Sequence, residues 1–239
     1  MTPGLVSVVI GVYNAERYIG EAIDSVLAQD YRPLELIVVD DGSTDGSGDV
    51  VRRYRDVVYI RQENGGNGSA RNTGVAAAQG EFLAFLDADD RFTPGKLTSQ
   101  MRALEDDGRL DLVFGHVQEF VSPELDEETR SRIRPPAPEP MPWTAPNLML
   151  IRRASFDRVG PFATEVRVGV TVDWFLRAKE AGLNYRVLPE TVLERRLHTE
   201  NNGIREAASR SQYLAVLKAS LDRRRAAAGG DAPRRTSLP

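Results

Sequence analysis

The chain has 239 residues, with 41% hydrophobic and 28% charged side chains and a formal net charge of −4, which fits a globular protein and argues against nucleic-acid binding. Cysteine is absent, so disulfides and thiolate metal sites are excluded and an intracellular protein is compatible with the composition. No apolar run reaches the ~18 residues of a membrane span and the N-terminus lacks a basic leader, so we expect a soluble, cytoplasmic protein.

Short β-branched runs alternate with helical patterns over roughly the first 115 residues. Asn14 is expected to cap the first helix, ahead of apolar positions at i, i+3, i+4 and i+7. The alternation predicts βαβ units, and therefore a mostly parallel sheet flanked by helices. The predicted strands are residues 5–13, 34–40, 57–61 and 81–86, and the predicted helices are residues 15–28, 47–55 and 69–79.

The remainder of the chain is less regular. The stretch SPELDEETRSRIRPPAPEP holds five prolines and predicts a long, mobile loop over residues 122–142. Gly182 is expected to end a helix at its C-cap position. The other predictions are a helix over 93–107, one or two strands over 110–120, a strand and short helix over 147–160, a helix over 170–182, two strands up to His198 and a helix over 203–225.

Polar residues stand directly after several predicted strands, among them Tyr13, Asp40, Asp41, Glu63 and Asp87. In open parallel sheets, ligands bind beyond the carboxyl ends of the strands. We therefore expect these side chains to converge on one edge of the sheet.

The segment EFLAFLDADDR ends a buried-strand pattern in three carboxylates, those of Asp87, Asp89 and Asp90. A solvated turn is one interpretation, because aspartate is common in turns. A divalent cation would instead relieve the repulsion, and Mg²⁺ or Mn²⁺ typically takes one or two carboxylates together with water and substrate phosphates. The position at the ligand edge favours a metal-bound diphosphate.

Two further loops resemble known ligand-binding motifs only in part. VVDDGSTDGS opens like a calcium loop, but Arg52 stands where the bidentate glutamate should be, which argues against calcium binding. Asp40 then belongs either to a turn or to a nucleotide pocket, in which its carboxylate would accept a base N–H. ENGGNGSARNTG is neither a Rossmann nor a P-loop fingerprint, which argues against a dehydrogenase or NTPase. Its small residues allow close approach to a ligand that Arg71 could face.

Three stretches, in this order and spacing, resemble the family 2 glycosyltransferases of the GT-A fold: VSVVIGVYNAERYIGEAIDSVLAQDYRPLELIVVDDGSTDGS, NGGNGSARNTG and GEFLAFLDADD. The resemblance is dense over residues 6–97 and thinner to about residue 200. It implies an α/β fold with a mostly parallel nucleotide-binding sheet and a smaller mixed acceptor-side region. We expect one domain over 1–225, with a nucleotide-sugar half to about 115 and an acceptor half from about 116, followed by a flexible tail over 226–239.

The resemblance implies inverting transfer from a nucleotide-diphosphate donor, with a UDP-sugar expected, assisted by Mn²⁺ or Mg²⁺. By similarity, Tyr13 and Asp40 contact the base with Arg71 beside them, and Asp87 reaches the ribose or metal-bound water. Asp89 coordinates the metal. The acceptor is left open between a cell-surface glycan, a lipid-linked sugar, a peptide and a small molecule.

The catalytic base is sought in TVDWFLRAKEAG, which matches a family segment that usually carries Glu-Asp at a helix start. Asp173 matches the aspartate, while Val172 replaces the glutamate. Asp173 is therefore the candidate base, or else a first-turn acid favoured by the helix dipole. Trp174 shapes the acceptor pocket or packs.

Other family positions point to the metal, the phosphates and the acceptor. His198 follows a predicted strand where related enzymes place a histidine that reaches the metal or diphosphate, whereas His116 is interpreted as structural. Trp143 and Asn147 are candidate acceptor contacts or packing residues. Arg195, Arg196 and Asn201 or Asn202 are candidates for neutralising phosphate charge.

Asp90 is a weaker metal candidate that could instead cap the following helix. The basic segment LDRRRAAAGG is either a solvated helix end or a peripheral contact with anionic lipid at the inner face of a membrane.

Two other functions compete with transfer. A sugar nucleotidyltransferase would carry a glycine-rich loop with a basic residue after the first strand, and GVYNAERY lacks one. A catalytically inactive nucleotide-sugar-binding module would keep the donor half and lose the base, and Val172 favours it.

Overall fold

The fold was described from a computed structural model, which covers residues 1–165, 169–199 and 210–229. Its strands are β1 (Thr2–Val12), β2 (Leu34–Asp40), β3 (Val57–Arg61), β4 (Gly80–Asp87), β5 (Arg91–Phe92), β6 (Leu112–Val121), β7 (Met141–Pro142), β8 (Leu150–Arg152) and β9 (Tyr185–Leu197). Its helices are α1 (Ile19–Leu27), α2 (Ser47–Val51), α3 (Asn67–Ala77), α4 (Lys96–Asp106), α5 (Glu127–Ser131), α6 (Arg153–Val159), α7 (Val170–Glu180) and α8 (Arg210–Gly229).

All nine strands of the described ranges join one sheet in the order β3-β2-β1-β4-β8-β6-β9-β5, with β7 paired to β6. The strands β3, β2, β1 and β4 are parallel and form what we call the parallel half. The strands β5 to β9 form the mixed half, in which β6 and β9 are parallel and the other pairs are antiparallel. The predicted α/β architecture, mostly parallel with a smaller mixed region, is confirmed.

The inner strands of the parallel half, β1, β2 and β4, are largely buried on both faces of the sheet. Val8, Val9 and Ile10 are consecutive in β1 and have no exposed surface, as expected when helices cover both faces. On α1, the apolar stripe predicted from the sequence is the buried face. These contacts fix the strands, and therefore the positions at which their carboxyl ends emerge.

The first helix begins later than predicted. Asn14 does not cap it but adopts a left-handed backbone conformation with φ 50°, and its Oδ1 accepts a hydrogen bond from the Thr44 backbone N–H at 2.8 Å. The N-cap is Tyr18, whose side chain makes no capping hydrogen bond. The polar residue before the helix is used instead to tie the β1 end to the loop after β2.

The mixed half differs more from expectation. One continuous strand, β9, replaces the two predicted, because it pairs in parallel with β6 and absorbs two shifts of register. The proline-rich segment contains α5 and is anchored, since Arg134 and the Ala137 backbone N–H both donate to the buried Glu119 carboxylate. At the end of α7, Gly182 has the left-handed conformation expected beyond a helix C-terminus, with φ 70°.

The last described helix, α8, continues to Gly229, beyond the predicted end at 225. Its predicted start at 203, the candidate phosphate contacts Asn201 and Asn202, and the rest of the predicted tail at 230–239 lie outside the described residues. In the part of the chain that the structure describes, no helix is both long and apolar enough to cross a membrane.

Candidate active site

The carboxyl ends of three strands of the parallel half meet at one sheet edge. In the register of the sheet, Val12 of β1 pairs with Asp40 of β2, and Gly11 pairs with Asp87 of β4. Tyr13 follows β1 at this edge, and its side chain is exposed. The convergence predicted from the strand pattern is therefore present, and the open aromatic face of Tyr13 is available to a planar ligand.

The three carboxylates after β4 have different environments. Asp87 is partly exposed and accepts from the Arg71 guanidinium at 2.6 Å. Asp90 is buried, and one of its oxygens accepts from the Arg196 backbone N–H at 3.0 Å. Burial raises the pKa of Asp90 well above its usual range, and the neighbouring charges of Asp89 and Asp87 raise it further. Asp90 is therefore an internal member of the cluster, while Asp87 and Asp89 face the edge.

Asn147 joins two of these carboxylates. It lies in a single 3-10 turn just before β8, and its Nδ2 donates to Asp87 Oδ2 at 3.0 Å and to Asp90 Oδ2 at 3.1 Å. The buried Lys96 donates to its backbone carbonyl at 3.3 Å. This placement corrects the predicted acceptor contact, because the Asn147 side chain restrains the acidic cluster from the protein interior.

Asp89 meets His198 across the two halves of the sheet. The distance from Asp89 Oδ2 to His198 Nε2 is 2.9 Å, although the residues are 109 positions apart in the sequence. The His198 ring is buried beside Tyr18, with ring centroids 4.8 Å apart. The Arg196 Nε donates to the Asp89 backbone carbonyl at 3.0 Å, so the end of β9 holds both the backbone and the side chain of Asp89.

The Asp89 and His198 pair fits two ligands of one divalent ion. When an octahedral ion lies about 2.1 Å from each of its ligand atoms, neighbouring ligand atoms are about 3 Å apart. The Asp89 oxygen and the His198 nitrogen have this separation. Among the described residues, no group of three or more candidate ligand side chains exists, so substrate oxygens and water would complete the shell. The oxygen ligands of such a shell, a carboxylate with water and phosphate, suit Mg²⁺ or Mn²⁺.

Arg71 lies on α3 and is buried between Asp87 and the Phe162 ring, whose centroid is 5.5 Å from the guanidinium carbon. This geometry places a fixed positive charge beside the edge. The same helix start lies close to α7, because a Cβ on Gly68 would be 3.3 Å from Val170 Cγ1. The beginning of α7 therefore packs beside the Arg71 segment.

Asp40 is fully buried and already engaged by protein groups. It accepts from the Tyr59 hydroxyl at 2.7 Å, the Ser43 backbone N–H at 2.8 Å and Arg61 Nη1 at 3.2 Å. Burial by itself would raise the pKa of Asp40, but the hydrogen bonds and the Arg61 charge outweigh it and the pKa is lowered. These contacts give Asp40 a structural role that pattern reasoning missed, and a base contact remains only a prediction.

Asp41 holds the glycine-rich loop. Its Oδ1 accepts from the Gly65 backbone N–H at 2.9 Å and its Oδ2 from the Gly66 backbone N–H at 2.8 Å. Gln62 Nε2 is the third donor to this carboxylate and bonds Oδ1 at 2.7 Å. The two glycine amides at the start of α3 therefore face an internal carboxylate.

Asp173 occupies the first turn of α7, as predicted, and is buried. Its Oδ2 accepts from Arg177 Nε at 2.8 Å, and its Oδ1 lies 3.5 Å from Arg223 Nη2 on α8. Both oxygens thus face guanidinium groups, an arrangement that sequence patterns did not indicate.

The two tryptophans have opposite environments. Trp174 is 1% exposed, stacks on Phe156 at a centroid distance of 5.5 Å and donates from Nε1 to the Gly160 carbonyl. Packing is therefore the correct alternative for Trp174, and it forms no wall of an open pocket. Trp143 is 39% exposed, and the Arg195 guanidinium carbon lies 5.0 Å from its ring centroid. Trp143 remains accessible to an acceptor.

The arginines before His198 also differ from expectation. Arg196 is buried, stacks on the Tyr18 ring and donates to Glu21 at 2.7 Å and Ser122 at 3.0 Å. Arg195 donates to Glu119 at 3.0 Å. Neither placement supports the predicted phosphate contact, because both guanidinium groups are engaged by protein carboxylates.

Comparison with known proteins agrees with this architecture. Residues 7–167 match the sequence model of Glycosyl transferase family 2. A relative from Nostoc sp., called an uncharacterized glycosyltransferase, is 32% identical over 236 residues, covering 91% of this chain and 72% of the relative. The uncharacterized glycosyltransferase EpsJ of Bacillus subtilis is 42% identical over 113 residues, covering 46% of this chain and 33% of EpsJ.

Solved structures of S. aureus TarS 1-349 share the fold. The complex with UDP superposes with a TM-score of 0.65 at 25% identity, covering 80% of this chain and 60% of TarS. The complex with UDP-GlcNAc gives a TM-score of 0.68 at 23% identity, covering 84% and 61%. The chain thus spans less than two thirds of TarS and about a third of EpsJ. Because the family match covers more than half of the sequence and the sheet has the expected topology, the chain belongs to glycosyl transferase family 2.

Proposed function

We propose that the chain transfers a sugar from a UDP-sugar to an acceptor hydroxyl by inverting single displacement. The observation that carries this proposal is the Asp89 and His198 pair, brought together at 2.9 Å at the edge where strands β1, β2 and β4 end. A carboxylate and an imidazole at this distance suit a cation that also binds a diphosphate.

Asp89 and His198 would hold Mn²⁺ or Mg²⁺, which when bound neutralises charge on the departing diphosphate. Asn147 and the Arg196 backbone N–H keep Asp90 and Asp87 from moving toward Asp89. The fixed Arg71 and Asp87 pair borders the same space and is proposed to face the ribose and phosphate groups. Tyr13, exposed at the end of β1, is proposed to stack on the base.

The choice of UDP rests on likeness. TarS, at 25% identity, has been solved with UDP bound, and its fold superposes on four fifths of this chain. We infer that residues of the mixed half determine the specificity for the acceptor, the sugar and the linkage. Trp143 is the exposed aromatic candidate for an acceptor contact there.

Asp173 is the proposed base, because the start of α7 packs beside the start of α3 that bears Arg71. In this role it would accept the proton of the acceptor hydroxyl as the new bond forms. Its two guanidinium neighbours restrain its position, and Arg223 at 3.5 Å is the weaker contact and therefore the easier to separate.

The same ion pairs favour a second function, an inactive nucleotide-sugar-binding module. A carboxylate held by two arginines is a structural element, and Val172 replaces the usual neighbouring acid. Such a module would bind UDP together with a metal ion, but it would not produce UDP from any UDP-sugar.

The decisive experiment measures UDP release from a panel of UDP-sugars with Mn²⁺, with water as the acceptor and with a panel of added sugar acceptors, in parallel with calorimetric UDP binding. We expect the unmodified chain to release UDP, and Asp173→Asn to lose about 100-fold or more of that rate while UDP affinity changes less than threefold. Asp157→Asn, an exposed acid on α6 that also pairs with an arginine, is the matched control and should behave like the unmodified chain.

Each alternative has its own result. Binding of UDP without UDP release, either to water or to any of the added acceptors, favours the inactive module. Unchanged turnover in Asp173→Asn removes the base assignment and leaves the transferase intact. Metal-independent binding and release would overturn the role given to Asp89 and His198.

A further inference from the structure

Helix α8 presents two different faces. The inner face packs on α7, with Val216 and Ser220 buried and Ser220 Oγ donating to Glu180 Oε1 at 2.5 Å. Arg223 continues this face and donates to Glu180 Oε2 at 2.7 Å. The spacing of 216, 220 and 223 is that of one helical stripe, so the rest of the circumference faces outward.

The outward surface carries three leucines at i, i+3 and i+7. Leu214, Leu217 and Leu221 are 66%, 47% and 50% exposed. At 100° per residue they lie within about 60° of the helix circumference. Three large apolar side chains in one exposed row are unusual for a free helix face, since such contiguous patches mark interaction sites.

Basic residues border the leucine row. Lys218 and Arg225 fall next to it on one side and Arg224 on the other, while Asp222 lies farther round, and all four are exposed. We call this surface, formed by Leu214, Leu217, Leu221, Lys218, Arg224 and Arg225, the outer face of α8. It combines a narrow apolar stripe with a basic margin.

The charge of this region contrasts with the rest of the chain. The described helix, residues 210–229, contains five arginines and lysines against one acidic residue, whereas the whole chain carries −4. A partner that binds by charge would therefore be drawn to this end of the molecule and repelled by the remainder. A second copy docked on the same face would bring two basic margins together, which disfavours self-association.

We propose that the outer face of α8 docks on an anionic lipid surface, with the leucines entering the headgroup boundary and the basic residues at the phosphates. The helix would lie in the plane of the interface, as amphipathic basic helices do. This inference goes beyond the proposed reaction and stands whether or not the chain is catalytically active.

The test is cosedimentation of the full chain with vesicles. We expect at least tenfold more binding to phosphatidylcholine vesicles containing about 30% phosphatidylglycerol than to pure phosphatidylcholine. The triple variant Lys218→Glu, Arg224→Glu, Arg225→Glu should fall to the level of pure phosphatidylcholine. Leu217→Ser with Leu221→Ser should lose about tenfold, because the apolar part of the contact is removed.

A matched control separates the face from overall charge. Arg53, Arg55 and Arg102 are exposed on other parts of the surface, and changing all three to Glu alters net charge by the same amount. The control should keep vesicle binding. Equal loss in both triple variants would overturn the proposal, as would equal binding of the unmodified chain to both kinds of vesicle.

Two measurements keep the result interpretable. Circular dichroism melting checks that each variant is folded. Raising salt to about 1 M, where the screening length falls to about 3 Å, should release the unmodified chain from anionic vesicles without any substitution. If sedimentation velocity without lipid shows a dimer that Leu217→Ser dissociates, and vesicles are not bound, the face is a contact between copies and the proposal fails.

Discussion

The parallel half and the mixed half of the sheet contribute to the site in different ways. The parallel half contributes Asp87 and Asp89 at the end of β4 and Arg71 on the helix before it. The mixed half contributes Asn147, Arg196 and His198, which hold those carboxylates from the other side. The acidic cluster therefore comes from one region, and its hydrogen-bond donors, together with the second proposed metal ligand His198, come from the other.

This division explains how three carboxylates can stay within four residues of chain. Local sequence brings them together, and their mutual repulsion is offset by Arg71, 16 positions from Asp87, and by contacts 57 to 109 positions away. A substitution in the mixed half should then alter metal dependence without touching a candidate ligand.

Asp89→Asn tests the parallel half most directly. It removes the charge of the proposed metal ligand, and we expect the rate of UDP release to fall about 1,000-fold, since electrostatic stabilisation of the leaving group would be lost. The unfolding midpoint should stay the same or rise, because a like charge beside Asp87 and Asp90 disappears. Steady-state release assays and thermal melting measure the two effects.

The control for this change is Asp106→Asn, an exposed acid at the end of α4. It should leave activity and stability unchanged. If Asp89→Asn retains more than a tenth of the rate with Mn²⁺, the parallel half does not supply the metal ligand, and the division of roles between the two halves is wrong.

Asn147→Ala tests the mixed half. The loss of its two hydrogen bonds should lower kcat/KM about 10- to 100-fold and raise the Mn²⁺ concentration needed for half-maximal activity. The free energy of unfolding should fall by about 1–3 kcal/mol, because buried acceptors lose their donor. Asn147→Asp should be more damaging, since it adds a fourth carboxylate.

A buried amide in the same layer provides the matched control. Gln100 donates to the carbonyls of Val113 and Leu148 and does not touch the acidic cluster. Gln100→Ala should cost similar stability and leave the Mn²⁺ requirement unchanged. A shift of that requirement in both variants would reduce Asn147 to a packing residue.

Asp40→Asn asks whether the buried acid of β2 is structural or binds donor. We expect the free energy of unfolding to drop by about 1–3 kcal/mol at neutral pH, as hydrogen bonds to a charged group are weakened, with little change in UDP affinity. Because the pKa of Asp40 is lowered in the folded state, its contribution is complete above the ordinary value of 3.8 and is lost as the pH falls below it.

Chemical denaturation at pH 7 and at about pH 3 therefore measures the effect, and the gap between variant and unmodified chain should narrow in acid. Asp49→Asn, an acid with a 79% exposed side chain paired to Arg52, is the control, with an expected change below about 0.5 kcal/mol. Unchanged stability together with a tenfold loss of UDP affinity would instead establish a base contact.

Sequence reasoning was accurate where local rules suffice. Each strand of the parallel half is an apolar run that stops at polar residues, and parallel strands align their ends, so the site edge could be inferred. The separate roles of Asp40 and Asp41 are harder to predict, because the two acids are adjacent at the end of one strand. Only the packed structure shows which donors each carboxylate accepts from.

The mixed half depended on contacts that no local pattern reveals. His198 was indicated by family resemblance, not by periodicity. The bridge from Asn147 and the burial of Arg196 arise from tertiary packing of β8 and β9 behind β4, so neither could be read from spacing. Trp174 was ambiguous for the same reason, since a helical tryptophan suits a core or a pocket equally well.

The contact between Asp41 and the loop before α3 has a consequence for competing ions. The amides of Gly65 and Gly66 meet a carboxylate that is tethered to them, and a tethered partner acts at a high effective concentration. Free phosphate or sulfate must outcompete that partner to occupy the helix start. Occupation of the helix start by a free anion is thereby disfavoured, and under the proposed function the donor diphosphate would be held by a cation at the neighbouring edge.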